Sequence, residues 1–323
     1  MSFSLDVKQE IMENEVDESS VPALLCGVIL SSGSLVLERS GITFLISSEN
    51  SALLQFSKKL LKRYCPQIKL SESERQVNFK QKERIEIKVD NASGRIILSD
   101  LGILSFSKDG QFEINRLGAK HLTHEQPDKI AFLKGMFLGA GSVSIPQSID
   151  ISDIAKQVRN SGYHMEWNVQ AKEQAEYIRE LLAELDIIVR TVERNESYVV
   201  YLKEADSISS LLGIFGASRA VLTLENERAG REMRNLVNRQ ANCISANIDK
   251  SISAALVQLE AIEKIRKTVG LEALPPALEE VALARLANPE GSLSEICEVL
   301  DNKISKGAVS LRFKKIIEIA KEI

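Results

Sequence analysis

"FLKGMFLGAGSVS", residues 132–144, sets three glycines among large apolar side chains, and "LLCGVILSSGSLV", residues 24–36, repeats that texture. Each reads as a short apolar helix that ends at Gly-Ser ahead of a hydrophobic residue. Small residues fall four apart in both: Gly27 and Ser31 in the first, Gly135 and Gly139 in the second. That spacing stacks them on one helix face. Without large side chains there, two helix backbones approach more closely than the roughly 8–10 Å of ordinary helix packing. Two such helices at equivalent points of a duplication form the axis of a pseudo-dimer, with a period near 108 residues from Leu24 to Phe132.

Outward from the first helix, "SLVLER" and "ITFLIS" are short β-rich runs hinged at Ser40-Gly41, a hairpin signal. "SALLQFSKKLLKRY" has helical periodicity with Lys58, Lys59, Lys62 and Arg63 on its outer faces. A strand near Gln67 to Leu70, a second at "RIEIKVD" and a helix near Gly94 to Leu104 complete the unit. Around the second helix the order recurs. A loop holds Pro146, "YHMEWNVQ" reads as a strand and "AKEQAEYIRELLAELD" as an amphipathic helix. "IIVRTVE" and "YVVYLKE" pair about Asn195, and "ADSISSLLGIFGA" closes the copy. The expectation is an α+β fold of two tandem α-β-β-α-β-β-α repeats related by a pseudo-twofold.

From Arg219 the texture changes to a helix-forming run that ends at Gly270, followed by three compact helices. Pro275 and Pro276 open the first, "NPEG" ends it, and Ser292 with Glu295 makes a capping box for the second. "DNKI" is a short connection, and Ser305 caps the third. Two short helices joined by a tight turn match a helix-turn-helix. The domains expected are 1–125 and 126–218 for the repeats, 219–270 for the helical linker and 271–323 for the helix-turn-helix.

Net charge is −4, yet residues 58–88 hold ten basic against four acidic residues and residues 300–321 hold six against two. Local basic regions in an acidic chain suit sited nucleic-acid contacts. Acidic Glu72, Glu74, Glu83 and Glu86 interrupt the first. No run approaches the roughly 18 apolar residues that span a bilayer. The acidic N-terminus carries no secretory signal. Cys26, Cys65, Cys243 and Cys297 show no CxxC spacing and read as buried free thiols in a reducing cytoplasm. His121 and His124 stand three apart with no acid or thiol cluster to complete a metal site. "GAGSVS" lacks the lysine and the preceding strand of a phosphate loop. No catalytic constellation, cofactor, metal or small-molecule substrate is indicated.

"FLKGMFLGAGSV" resembles the motif helix of LAGLIDADG homing endonucleases. In that family two such helices pack at the domain centre, and an acid before each final motif glycine binds the metal for phosphodiester cleavage. The matching positions here are Ser32 and Ala140. Neither supplies a carboxylate for a hard divalent cation, so the resemblance implies a DNA-binding scaffold without the nuclease. With "RAGREMRNLVNRQANCISANIDK" and "SLSEICEVLDNKISKGAVSLRFKK" added, the whole chain resembles the WhiA family of bacterial sporulation and cell-division regulators. That implies promoter-binding double-stranded DNA recognition, a role in transcription, division or chromosome segregation, another regulator protein as a partner, and a cytoplasmic, nucleoid-associated place. The family pattern has Ser, Asn and His where this chain has Gly307, Ser310 and Leu311, which removes an amide able to pair with adenine.

The recognition helix expected is Ser305 to Lys315. Lys306, Ser310 and Arg312 are its polar candidates for base edges. Lys314 and Lys315 suit phosphates, Ser305 and the free N–H groups beside it suit another, and Val309 and Phe313 face the core. On the linker, Arg228, Arg231, Asn235, Asn238 and Asn242 recur at helical spacing as one polar stripe, open to either DNA phosphates or docking between domains. The N-terminal repeats are equally open to DNA or protein. A protein-interaction scaffold and a residual endonuclease are the competing readings.

Overall fold

The structure, a computed structural model, describes residues 2–39, 41–77, 82–107, 111–146, 162–301 and 304–323. Ser40 of the expected hinge, most of the loop after Pro146 and two residues of the "DNKI" connection lie outside them. The chain forms two compact units, Met1–Arg231 and Glu232–Ile323.

The first unit opens with α1 (Phe3–Glu13). The first repeat then runs α2 (Val21–Ser32), β1 (Gly33–Glu38), β2 (Gly41–Ser48), α3 (Ser51–Tyr64), β3 (Leu70–Val77), β4 (Lys82–Val89) and α4 (Asn91–Asp100). A small hairpin, β5 (Leu104–Phe106) with β6 (Phe112–Ile114), leads to the second repeat. That repeat runs α5 (Gln126–Ala140), β7 (Gly141–Ser144), β8 (His164–Val169), α6 (Lys172–Ala183), β9 (Arg190–Arg194), β10 (Ser197–Leu202) and α7 (Ala205–Ile214). Both copies are α-β-β-α-β-β-α, and their antiparallel sheets have equivalent strand orders, β1-β2-β4-β3 and β7-β8-β10-β9. The duplication read from the two apolar strings is therefore the architecture of this unit.

The local causes are visible. α2 and α5 carry Pro22 and Pro127 in their first turns, where a missing N–H costs nothing, and each stops at a glycine in extended conformation. Asn50 and Asp90 cap α3 and α4 by accepting from Ala52 N and Ser93 N, each at 3.0 Å. The β9–β10 turn holds Asn195 and Glu196 at φ 42° and 46°, the paired left-handed conformation that matches strand twist in a two-residue hairpin.

Several boundaries differ from the sequence expectation. β3 begins at Leu70 rather than Gln67, because Ile68 N closes a turn on Cys65 O at 3.1 Å just after Pro66. The closing helix is Asn91–Asp100, set early by the Asp90 cap and ended before Gly102, whose φ is 65°. α1 and the β5–β6 hairpin were not anticipated. α1 buries only Val7, Glu10 and Ile11 under an acidic surface, and the hairpin strands are three residues each, too short to show a period. Of the cysteines, all free, Cys26 and Cys297 are buried, Cys65 is half-buried and Cys243 is exposed. Cys243 lies on a helix stretch, residues 232–250, that is exposed throughout.

In the core, Phe44, Ile46, Ile87 and Val89 of one sheet and Met165, Trp167 and Val200 of the other pack on the helices. Phe137 of α5 meets Trp167 edge-on at 5.7 Å. α8 (Ser218–Thr268) begins in this unit, where the Glu10 carboxylate accepts from Arg219 N at 2.7 Å and Ala220 N at 3.0 Å. An anion thus satisfies donors that the first helical turn leaves open.

The second unit packs the end of α8 with α9 (Pro276–Ala287), α10 (Leu293–Val299) and α11 (Lys306–Glu322) around Ile262, Ile265, Val281, Ile296, Val309, Phe313 and Ile316. Among the described residues no helix is long and apolar enough to cross a membrane.

Candidate nucleic-acid interface

The ends of the central helix pair are where the LAGLIDADG resemblance would place catalytic acids. α2 and α5 meet through the predicted residues. A Cβ on Gly27 would lie 2.9 Å from Met136 N and 3.0 Å from Gly135 Cα; one on Gly135 would lie 2.8 Å from Val28 N. Nothing larger than hydrogen fits at either place. Ser31 Oγ donates across the pair to Gly135 O at 3.1 Å, and Ser20 Oγ reaches Asp128 Oδ1 at 2.6 Å at the other end. At the lower ends, Ser32 Oγ is held on Val28 O at 2.7 Å, and Ala140 presents a methyl group. Among the described residues no group of three or more His, Cys, Asp or Glu stands close enough to hold a metal ion.

Among the described residues, the basic run that starts at Lys58 divides between two sides of the first sheet. α3 packs on the core side, so Lys58, Lys59, Lys62 and Arg63 lie behind the sheet rather than on its outer face. Lys58 pairs with Glu72, which is opposite buried Ile87, and Arg63 pairs with Glu18 at 2.5 Å. On the outer face Lys88 is paired with Glu38. Alternation explains the division: Glu72 and Ile87 face one side of the sheet, and Glu86 and Lys88 the other. In the second sheet the outer face gathers Ser142, His164, Glu166 and Tyr201. Glu166 accepts from Ser142 Oγ at 3.2 Å and stands 2.9 Å from His164 Nε2, while His164 stacks on Tyr201 at 5.7 Å. Sequence reasoning passed over this cluster, although "HMEW" carries its period-two signal.

The five residues of the linker stripe differ in their surroundings. Arg228 is bonded to Asp206 of α7 and stands 3.8 Å from Glu225. Arg231 is half-buried, whereas Asn235, Asn238 and Asn242 are exposed. Arg239 Nε donates to Asn235 O at 3.2 Å along the helix.

The helix-turn-helix is built as its caps dictate. Ser292 Oγ accepts from Glu295 N at 3.3 Å and Glu295 Oε2 accepts from Ser292 N at 2.6 Å, closing the predicted capping box. These hydrogen bonds hold the Glu295 carboxyl below its ordinary value. Ser305 Oγ accepts from Ala308 N at 3.3 Å and starts α11. Beneath α11, Arg285 is 2 % exposed. Its Nε donates to Gln258 Oε1 at 3.0 Å, its Nη1 to the carbonyls of Asn288 and Gly291, and its plane lies 5.1 Å over the Phe313 ring. Val309 and Phe313 face inward as expected. Ser305, Lys306, Lys314 and Lys315 are exposed and Ser310 is half-buried. Arg312, 25 % exposed, donates to Ala277 O at 3.3 Å and stands 3.8 Å from Glu280 of α9. The exposed cations of α11 thus flank a surface turned away from the unit's core, the arrangement a groove-entering helix requires.

Comparison with known proteins agrees with this construction. The family model described as WhiA LAGLIDADG-like domain matches residues 21–88 and 129–234, and the WhiA C-terminal HTH domain model matches residues 237–320. A "Probable cell division protein WhiA" of Clostridium acetobutylicum is 33 % identical, covering 100 % of this chain and 98 % of that protein. The protein of the same name in Thermoanaerobacter pseudethanolicus is 36 % identical, with 100 % and 98 % covered. The crystal structure of full-length DUF199/WhiA from Thermatoga maritima shares the fold at a TM-score of 0.58 and 24 % identity, over 100 % of this chain and 99 % of that one. Two repeats joined through glycine-bearing helices, then a capped helix-turn-helix, each matched by a family model and the whole chain by relatives: the chain belongs to the WhiA family.

Proposed function

We propose that this protein is a non-catalytic, DNA-binding regulator of transcription that acts in cell division, sporulation or chromosome segregation of a bacterium, in the cytoplasm at the nucleoid. The observation that carries the reading is α11, with Lys306, Lys314 and Lys315 exposed on a helix whose opposite side is locked into a core by Val309, Phe313 and Ile316. Ser305 and the first-turn N–H groups take a phosphate. Lys306, Ser310 and Arg312 approach base edges of promoter duplexes, Arg312 by exchanging the Ala277 carbonyl for a base. Lys314 and Lys315 take further phosphates. The relatives' name supports the division role. The working parts are residues 1–125, 126–218, 219–270 and 271–323, with Arg231, Asn235, Asn238 and Asn242 contacting either DNA or the neighbouring domain. A gel shift with promoter fragments tests this: Arg312→Ala lowers affinity on the order of tenfold, and an unchanged affinity removes the helix-turn-helix from the account.

The non-catalytic part rests on Ser32 and Ala140, where a carboxylate would be needed. Plasmid nicked at a defined site by stoichiometric protein with Mg²⁺ would overturn it. A second reading, a scaffold that recruits another regulator through residues 1–218, draws on the His164–Glu166–Tyr201 surface, where aromatic rings and a carboxylate stand beside Arg190 and Lys203 in a patch of mixed charge. Complementation of a deletion strain by residues 1–218 without DNA binding would support it.

A further inference from the structure

α11 turns Val309, Phe313, Ile316 and Ala320 to the core, and Gly307, Leu311, Lys314 and Glu318 run along the middle of the opposite face at spacings of four, three and four. Leu311 is 62 % exposed and is the one large apolar side chain exposed among the described residues of this helix. It lies between Lys314 one turn on and Gly307 one turn back. Arg312 is turned aside toward Ala277 O and Glu280. A duplex lying along this face meets Leu311 at its centre.

Leucine can neither donate nor accept a hydrogen bond, so it distinguishes base pairs only by shape and hydrophobicity. The major groove offers one apolar group, the 5-methyl of thymine. Cytosine at the same place carries only a hydrogen at C5 and offers no such group to bury. Gly307 sharpens the argument. A Cβ there would meet nothing nearer than Ser305 Oγ at 3.9 Å. Among the described residues no packing calls for glycine, a residue of poorer helix propensity than alanine. Its bare surface lets the helix sit closer to the base edges and lets Leu311 reach them.

We propose that Leu311 reads a thymine through its 5-methyl group when α11 occupies the major groove. This rests on the assignment of α11 as the DNA-contacting helix and names what it recognises there. The probe is the duplex that the full chain enriches from a randomised library, rebuilt with deoxyuridine in place of thymidine one position at a time. Uracil pairs as thymine does and lacks only the methyl. At one position, or a symmetric pair of positions, the replacement weakens binding by the unaltered protein about fourfold, the worth of one buried methyl. Leu311→Ala binds the thymidine and deoxyuridine duplexes equally, and Leu311→Met keeps the difference. The proposal is overturned if the unaltered protein is indifferent to every replacement, a result that needs no variant to fold, or if Leu311→Ala keeps the full difference. Failure of the underlying assignment has another signature: no duplex is retained at low salt, or Lys314→Ala and Lys315→Ala leave affinity unchanged. Either takes this proposal down with it.

Discussion

Two cations, Lys8 half-buried and Arg285 buried, set the residue scale. Lys8 on α1 lies with its ammonium 5.7 Å from the Phe137 ring, and burial pulls its pKa from 10.5 down to about 8. Below pH 8 both the folded and the unfolded chain hold this proton, so the full desolvation cost is present. Between about 8 and 10.5 the folded state releases the proton and the unfolded state keeps it, and stability rises with pH. Lys8→Met therefore stabilises the first unit at pH 7 by about 1–2 kcal/mol after allowance for solvent screening, and the gain fades to nothing by pH 10.5. Thermal melts across that range check it; a gain independent of pH would show packing alone at work. Arg285 differs, since its partners are the oxygens of Gln258, Asn288 and Gly291. Arg285→Leu strands buried acceptors and costs on the order of 3 kcal/mol in urea unfolding. Arg285→Lys recovers little of it, because an ammonium cannot span the same fork.

At the scale of elements, the α2–α5 contact is backbone against backbone, and its tolerance is correspondingly small. Gly135→Ala drives a methyl into Leu24 O and Val28 N. The helices must part, and the first unit loses about 3 kcal/mol or more, read as a lower unfolding midpoint with the second unit's transition unmoved. This contact was legible in the sequence because spacing of small residues by four has one geometric meaning on a helix. The capping box at Ser292 and Glu295, the Ser305 cap and the Asn195 turn were legible for the same reason: local backbone chemistry dictates them. What escaped was non-local. The Lys58–Arg63 run looked like a surface for DNA until Glu72 and Glu18 were seen to hold part of it on the core side of the sheet. Arg312 looked free until α9 supplied Ala277 O. Spacing along a helix tells which residues share a face but not which face a neighbour covers.

For the whole molecule, the reading predicts salt-dependent duplex binding, with log affinity falling about 0.9 per phosphate neutralised for each unit of log salt. Lys314→Ala and Lys315→Ala should each lower that slope by about 1 without changing sequence preference; anisotropy titrations over 50–200 mM salt decide it. The pairing of α2 with α5 has a further bearing on how the chain is made. Ser20 and its partner Asp128 are 108 residues apart. At about 5–20 residues per second of translation, the earlier helix leaves the ribosome roughly 5–20 s before its mate exists. During that interval a strip of leucine, valine and isoleucine with nothing to lie against is displayed to the cell. The nascent first half is thus a natural client for chaperones, and a premature stop between the halves yields an aggregating fragment rather than a small folded domain.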